Sequence, residues 1–331
     1  MANLRDIHFS ILELASIREG QSVQATLAHT LQLAQHAEQL GYHRMLLAEH
    51  HNMSGIASSA TSVLLTYLLV NTKHLILGSG GVMLPNHAPL VVAEQFGTLA
   101  TLFPERVVLG LGRAPGTDPI TMRALRRGNQ ASEDQFPQDV LEILQYFKQP
   151  RPNQQIIATP GQNTYVPVLL LGSSLFSAQL AAQLGLPYAF ASHFAPRFLE
   201  EAIKIYRGNF QPSEYLDKPY ISIGVPTVVA ETDEEAQFLA TTAYQRILAL
   251  LRGQSLKLKP PVSSMQNLWS SSELEAVKNF YALAQIGSVK TVQDGLQQLA
   301  ERLAVDEFIF TCDIYDMQKR LDNFQHLMQM K

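Results

Sequence analysis

The 331-residue chain contains one cysteine, Cys312, and one tryptophan, Trp269. A single thiol cannot close an internal disulfide, so the fold must stand without covalent staples and suits a reducing compartment. Long apolar runs are missing too: nowhere do the roughly twenty consecutive apolar residues of a membrane span occur. The opening stretch MANLRDIHFSILELA lacks the apolar core and cleavage pattern of a signal peptide, which makes the cytoplasm the expected location. Excess charge of either sign is scarce. Lys and Arg number 25 against 29 Asp and Glu, a formal net charge of -4 with no basic tail. Such a balance gives no general attraction for nucleic acid or an anionic membrane.

What is present is a chain 46% hydrophobic and 16% charged, enough for one large core. Short apolar runs rich in β-branched residues alternate with longer amphipathic runs, the rhythm of βα units. Strands are expected at 7–12, 44–48, 74–77, 107–111, 166–171, 188–191, 221–230 and 307–310. Helices are expected at 23–40, 59–70, 89–102, 136–147, 174–184, 196–210, 233–251, 273–284, 291–302 and 318–330. Gly41 supplies a stop for the first helix, and Ser58 or Ser59 a cap for the second. Gly224 and Pro226 read as irregularities in the seventh strand.

Eight strands in this length favour an α/β fold, a closed (β/α)₈ TIM barrel occupying residues 1–331 as one domain, over a two-domain doubly wound enzyme. Two long links stand out, 113–134 and 252–270. The second, RGQSLKLKPPVSSMQNLWS, carries Pro260, Pro261 and Trp269 in an insertion between late strands, and reads as a lid, an interface loop or a plain surface excursion. Small and apolar positions in Ala57 to Ala60 and Ala88 to Ala93 would suit a partner helix.

In a barrel of this kind, polar residues just past the strand ends share one face, where such folds place their sites. The candidates are Glu49, His50, His51 and Asn52 after the second strand, and Ser79, Gly80, Gly81 and Met83 after the third. Arg113 follows the fourth, Ser173 and Ser174 the fifth, and Ser192 and His193 the sixth. Glu49-His50-His51 has metal-ligand chemistry, but adjacent residues at a strand end point in different directions, so no metal is expected. His50 is the candidate acid/base group, because imidazole offers a donor and an acceptor near neutral pH. Glu49 is expected to orient it; a structural rim histidine is the alternative.

GSGG in ILGSGGVMLPNHAP is neither a phosphate loop nor a dinucleotide fingerprint. Its glycines allow a flat ligand close to the backbone, with Met83 as a polarizable contact; simple loop flexibility is the other reading. Arg113 can clamp an anion, and Ser173 and Ser174 at a helix start can bind phosphate together with free N–H groups. An ordinary helix cap and a surface arginine would look the same. No serine sits in a G-x-S-x-G elbow, so nucleophilic serine chemistry is unsupported.

The blocks LAEHHNMSGIASSATSVL, LGSGGVMLPNHAPLVVAEQFGTL, RVVLGLGRAPGTD, GSSLFSAQLAAQLGLPYAFASHFAP and GSVKTVQDGLQQL, in this order, resemble the bacterial luciferase-like flavin monooxygenase family, in its small single-gene branch. The resemblance covers almost the whole chain. It implies a (β/α)₈ barrel, commonly dimeric, binding FMN or the deazaflavin F420 at the carboxyl ends of the strands. It also implies reduced flavin delivered by a separate NAD(P)H:flavin reductase and reacting with dioxygen. His50 falls at the family's acid/base histidine, with Glu49 and Asn52 in support, and Ser79 to Gly81 at its non-prolyl cis peptide beside the flavin ring. Arg113, Ser173 and Ser174 match the phosphate site, and Ser192 and His193 the pyrimidine side of the ring. FMN is favoured over F420, because one phosphate needs only this modest anion pocket.

The expected function is therefore a flavin-dependent monooxygenase acting on a small organic substrate. An F420- or NADPH-dependent dehydrogenase, or a flavin-binding protein without turnover, is the alternative. The chain lacks the luciferases' full lid-like insertion and their reactive cysteine near the ring, so neither light emission nor a long-chain aldehyde follows from the resemblance.

Overall fold

The computed structural model describes residues 3–114, 116–125 and 133–331; most of the second half of the 113–134 link lies outside the described residues. In chain order the elements are β1 (His8–Glu13), α1 (Val23–Leu40), β2 (Arg44–Leu47), α2 (Thr61–Val70), β3 (Ile76–Ser79), β4 (Val82–Met83), α3 (Pro89–Leu102) and β5 (Val107–Gly112). Then come α4 (Pro119–Leu125), α5 (Phe136–Phe147), β6 (Val168–Gly172), α6 (Leu175–Leu184), β7 (Tyr188–Phe190), α7 (Leu199–Asn209), β8 (Ile221–Ala230) and α8 (Asp233–Leu251). The last are α9 (Ser271–Phe280), β9 (Gln285–Ser288), α10 (Val289–Leu303), β10 (Glu307–Thr311) and α11 (Met317–Met328).

Strands β1, β2, β3, β5, β6, β7, β8 and β10 pair in parallel in that order, and β10 pairs with both β8 and β1, closing the barrel. The eight expected strands are these. Two short ones were not anticipated. β4 continues the line of β3 beyond a cis Gly80–Gly81 peptide and pairs with β5, while β9 pairs with the outer half of β8 from Thr227 to Ala230. β4 has only two residues, and β9 reads QIGS with a single apolar residue, so neither leaves an apolar run in sequence.

Residue alternation builds the interior. On β1, β2, β8 and β10 the inward residues at the amino-terminal end are Ser10, Arg44, Ser222 and Glu307, which form a sealed polar layer. Glu307 accepts two hydrogen bonds from Arg44 and one each from Ser10 and Ser222, all of them buried. Two residues further along each strand the interior becomes apolar, with Leu12, Leu46, Val108, Leu169, Ala189 and Ile309 packed as one cluster. A second, larger core fills the space between the outer strand faces and the helices.

Several helix ends follow local chemistry. Gly41 ends α1 in the left-handed region at φ 78°, and Ser174 caps α6. The second helix, however, starts at Thr61 without a side-chain cap. Ser58 is buried and donates instead to the Leu14 and Ala48 carbonyls, so tertiary hydrogen bonds win over capping there. The 252–270 segment is tied down as a cover. Leu258 N–H donates to Ile17 O (2.9 Å), and its carbonyl accepts from Glu19 N–H (2.8 Å). A Cβ on Gly55 would stand 2.2 Å from the Leu256 backbone, so the segment lies directly on the loop after β2.

Candidate active site

Strand geometry sorts Glu49, His50 and His51. Leu46, Ala48 and His50 continue the inward alternation of β2 and line a cavity of about 280 Å³ at the barrel mouth. Glu49 and His51 point the other way. Glu49 is buried, and its Oε1 accepts hydrogen bonds from His51 Nε2 (3.0 Å) and His87 Nε2 (2.7 Å). Burial would raise the Glu49 carboxyl, yet these two donors outweigh it and hold the group below the usual carboxylate range. The trio's ligand atoms lie within 4.8 Å of one another, a spacing that a metal triad shares. An ionised carboxylate accepting from two imidazoles accounts for the contacts as charge-assisted hydrogen bonds. Glu49 thus does not orient His50, as the sequence had suggested; it ties the β2 loop to His87 beside α3.

Burial pushes His50 below the ordinary imidazole range, opposed by a hydrogen bond to the Gly116 backbone. His50 Nδ1 is buried and has no hydrogen-bond partner among the described residues. His193 Nδ1 is likewise buried without a partner. Desolvation, reinforced by His50 nearby, lowers His193 to about 4. Two neutral imidazoles therefore border one cavity, each with a buried, unmatched ring nitrogen.

Gly80, Gly81, Met83, Arg113, Ser173 and Ser174 also line the cavity. The glycines are explained differently than expected. A Cβ on Gly80 would stand 2.6 Å from Leu12 Cδ1, and one on Gly81 2.7 Å from Gly110 O. The barrel wall itself demands glycine there, before any ligand is considered. At the other end, the Arg113 guanidinium lies over the Phe176 ring at 4.5 Å, beside the start of α6. Ser174 Oγ accepts from Ser177 N–H as the cap of that helix, whose first turn presents further N–H groups to an anion.

Three expected contacts are absent from the cavity wall. Ser79 is buried in the barrel, donating to Gly110 O (2.8 Å) and accepting from Gly110 N–H (3.0 Å). Ser192 Oγ donates to Gly224 O (2.6 Å), behind His193. Asn52, at φ 56°, donates to Asp118 Oδ2 (3.3 Å) on the outer side. Ser79 and Ser192 point away beside lining neighbours, whereas Asn52 lies past the end of β2 at positive φ, where the chain turns outward.

Sequence reasoning missed Gly224. A Cβ there would stand 2.2 Å from His193 Nδ1, so the glycine makes room for that ring in the wall. A glycine inside a strand was the signal, taken only as an irregularity. A second cavity of about 120 Å³ was missed as well. It shares Leu12, Leu14, His50, His193 and Phe194 with the first, and continues under the 252–270 cover to Arg246 and Asp313.

The sequence profile described as luciferase-like monooxygenase matches residues 7–307. The chain belongs to the luciferase-like monooxygenase family. It is 50% identical over 327 residues to a luciferase-like monooxygenase of Escherichia coli (strain K12), covering 99% of this chain and 98% of the relative. It is 36% identical over 243 residues to the N-acetyl-S-alkylcysteine monooxygenase of Bacillus subtilis (strain 168), covering 70% of each. Among solved structures, apo-MsnO8 superposes with a TM-score of 0.91 at 31% identity over 98% of both chains. The fold extends to distant luciferase-like barrels. The oxygenating constituent of 3,6-diketocamphane monooxygenase from Pseudomonas putida, in complex with FMN, gives a TM-score of 0.74 at 16% identity over 100% of this chain and 98% of that one. An F420-dependent secondary alcohol dehydrogenase gives 0.71 at 14% over 98% and 99%. Members of this fold therefore include FMN and F420 proteins alike.

Proposed function

We propose that this chain is a monooxygenase that uses reduced FMN and dioxygen to oxidise a small organic substrate. The observation that carries the proposal is one cavity lined by Arg113 and the start of α6 at one end and by the His50 and His193 side chains at the other. Those residues fit the cofactor. Arg113, Ser173, Ser174 and the first turn of α6 would hold its phosphate, and Gly80, Gly81, Met83 and His193 would border its ring. Reduced flavin supplies two electrons, so that one oxygen atom enters the substrate and the other, with two protons, leaves as water.

The protein's part is to position and to manage protons. Leu12, Leu46, Leu171 and Ile309 keep the wall apolar and exclude water from the reacting centre. His50, neutral at pH 7, takes up or returns a proton at the ring nitrogen that meets the substrate. FMN is preferred to F420 because the cationic end comprises one arginine and one helix start, matched to a single phosphate. Oxygen use is supported by relatives at 36 and 50% identity that are named monooxygenases.

The reduced cofactor would come from a separate NAD(P)H:flavin reductase in the cytoplasm. A second copy of the chain would cover the exposed Val63, Tyr67 and Val70 of α2 with Val91 and Leu102 of the adjoining α3. No helix among the described residues is long and apolar enough to cross a membrane.

Anaerobic titration of the purified protein with reduced FMN and with reduced F420, followed by an oxygen pulse, tests the reading. Preferential binding of reduced FMN and fast reoxidation with substrate conversion are expected. Preference for F420 without oxygen consumption would replace it by a dehydrogenase, and tight flavin binding without any turnover by a carrier.

A further inference from the structure

The 120 Å³ chamber behind His50 and His193 has a different character from the mouth. Leu14, Ile56, Ile247, Leu256 and Phe280 give it apolar sides, and Ser16, Arg246 and Asp313 give it a polar end. Arg246 is only 6% exposed. Its Nη1 donates to Ser16 Oγ (2.8 Å) and to Asp313 Oδ1 (2.5 Å). The opposite edge, Nε and Nη2 with three N–H groups, has no partner among the described residues. A buried guanidinium edge without acceptors is costly unless something fills it.

Charge points the same way. Three guanidiniums lie together under the cover: Arg18 (2% exposed), Arg320 (4%) and Arg246. Arg320 pairs with Glu13 and Arg246 with Asp313, whereas Arg18 has only the Tyr315 carbonyl, His29 Nδ1 and Met317 Sδ. Arginines thus outnumber the carboxylates they pair with in this region, with Arg18 sharing the attraction of Glu13.

We propose that the substrate is a short organic acid whose carboxylate is held in this chamber by the Nε–Nη2 edge of Arg246. The proposal rests on the flavin reading of the larger cavity and gives that site's substrate a charge and a length. A planar carboxylate meets the side edge of a guanidinium through two parallel hydrogen bonds, while Ser16 and Asp313 keep the other edge fixed. The apolar body then runs past Leu12 and Phe194 between His50 and His193, which sets the atom to be oxidised at the mouth. Length is bounded by volume. A cavity of about 150 Å³ accommodates benzene, so this smaller chamber takes about half a dozen non-hydrogen atoms.

The test is calorimetric titration of pentanoate, pentanamide and undecanoate into the FMN-loaded and the flavin-free protein. Pentanoate is expected to bind at least about tenfold more tightly than its uncharged isostere, and more tightly than undecanoate. Removing Arg246 alone strands Asp313 and endangers folding, so the informative variants are Arg246→Lys and the double variant R246M/D313N. The first keeps charge without the planar edge and should lose most of the preference. The second should bind both five-carbon ligands equally while its FMN affinity stays unchanged. Equal wild-type affinities, or a preference that survives in R246M/D313N, would overturn the anchor. A pentanoate preference in a protein that fails to bind FMN would leave the anchor standing and remove the flavin reading; FMN binding without the preference does the reverse.

Discussion

The two ends of the barrel handle buried polar groups in opposite ways. At the amino-terminal end Glu307 is completely enclosed, and Arg44, Ser10 and Ser222 satisfy both of its oxygens. At the carboxyl-terminal end His50 and His193 are half-buried, and each keeps one buried ring nitrogen unmatched. A closed network serves the fold, since breaking it strands a charge. An open one costs the fold something and makes sense only if a ligand completes it. Substitutions at the first end should therefore cost stability, and at the second activity.

The largest effect is expected at the closed end. Arg44→Met should lower the unfolding free energy by about 3–5 kcal/mol in urea titration, with FMN affinity unchanged in the protein that remains folded. Restoring neutrality in R44M/E307L should recover most of that loss. If Arg44→Met is harmless, the layer is not a sealed network and the contrast between the ends disappears.

His50→Ala should act the other way round: kcat falls roughly 10²–10⁴-fold while flavin binding and thermal stability hold to within about 1 kcal/mol. An unchanged kcat on the true substrate would show that His50 handles no proton. Arg113→Gln should be milder, weakening reduced FMN by roughly tenfold to a hundredfold, as expected for a lost charge-assisted contact of about 1.5–3 kcal/mol. Riboflavin, which lacks the phosphate, should not distinguish this variant from wild type. A loss shared equally by both flavins would move the anion site elsewhere.

The smallest effect concerns pH. Burial lowers both His193 and His43 from 6.5 to about 4, so the folded chain holds them neutral where the unfolded chain binds protons. More protons on the unfolded state mean stability that is complete above pH 6.5 and declines as pH falls from 6.5 towards 4. His193→Gln should flatten that decline in a denaturation series, and an unaltered slope would mean that His193 is not the buried neutral group inferred here.

Much of this architecture could be read without coordinates. The eight barrel strands lie where alternating apolar runs placed them, because a strand buried on both faces needs an apolar run that few other elements need. His50, Gly80, Gly81, Met83, Arg113, Ser173, Ser174 and His193 come to one cavity because all of them sit at strand ends, and the barrel gathers strand ends. Asn52 was misjudged because the chain leaves β2 before it, and Glu49, Ser79 and Ser192 for a local reason. Neighbours in sequence alternate in direction, and a string of letters does not mark which phase faces inward.

The sequence by itself determined the barrel, the polar character of its mouth and the resemblance to a flavin enzyme, since each is written in residue types at fixed spacing along short segments. Tertiary structure alone decided which face each residue takes, that Glu49 serves His51 and His87, and that Gly224 makes room for His193. It also decided the second chamber, where Ser16, Arg246 and Asp313 meet across about 300 positions of chain. Contacts between such distant residues depend on how the barrel closes, and no local pattern in the sequence carries that information.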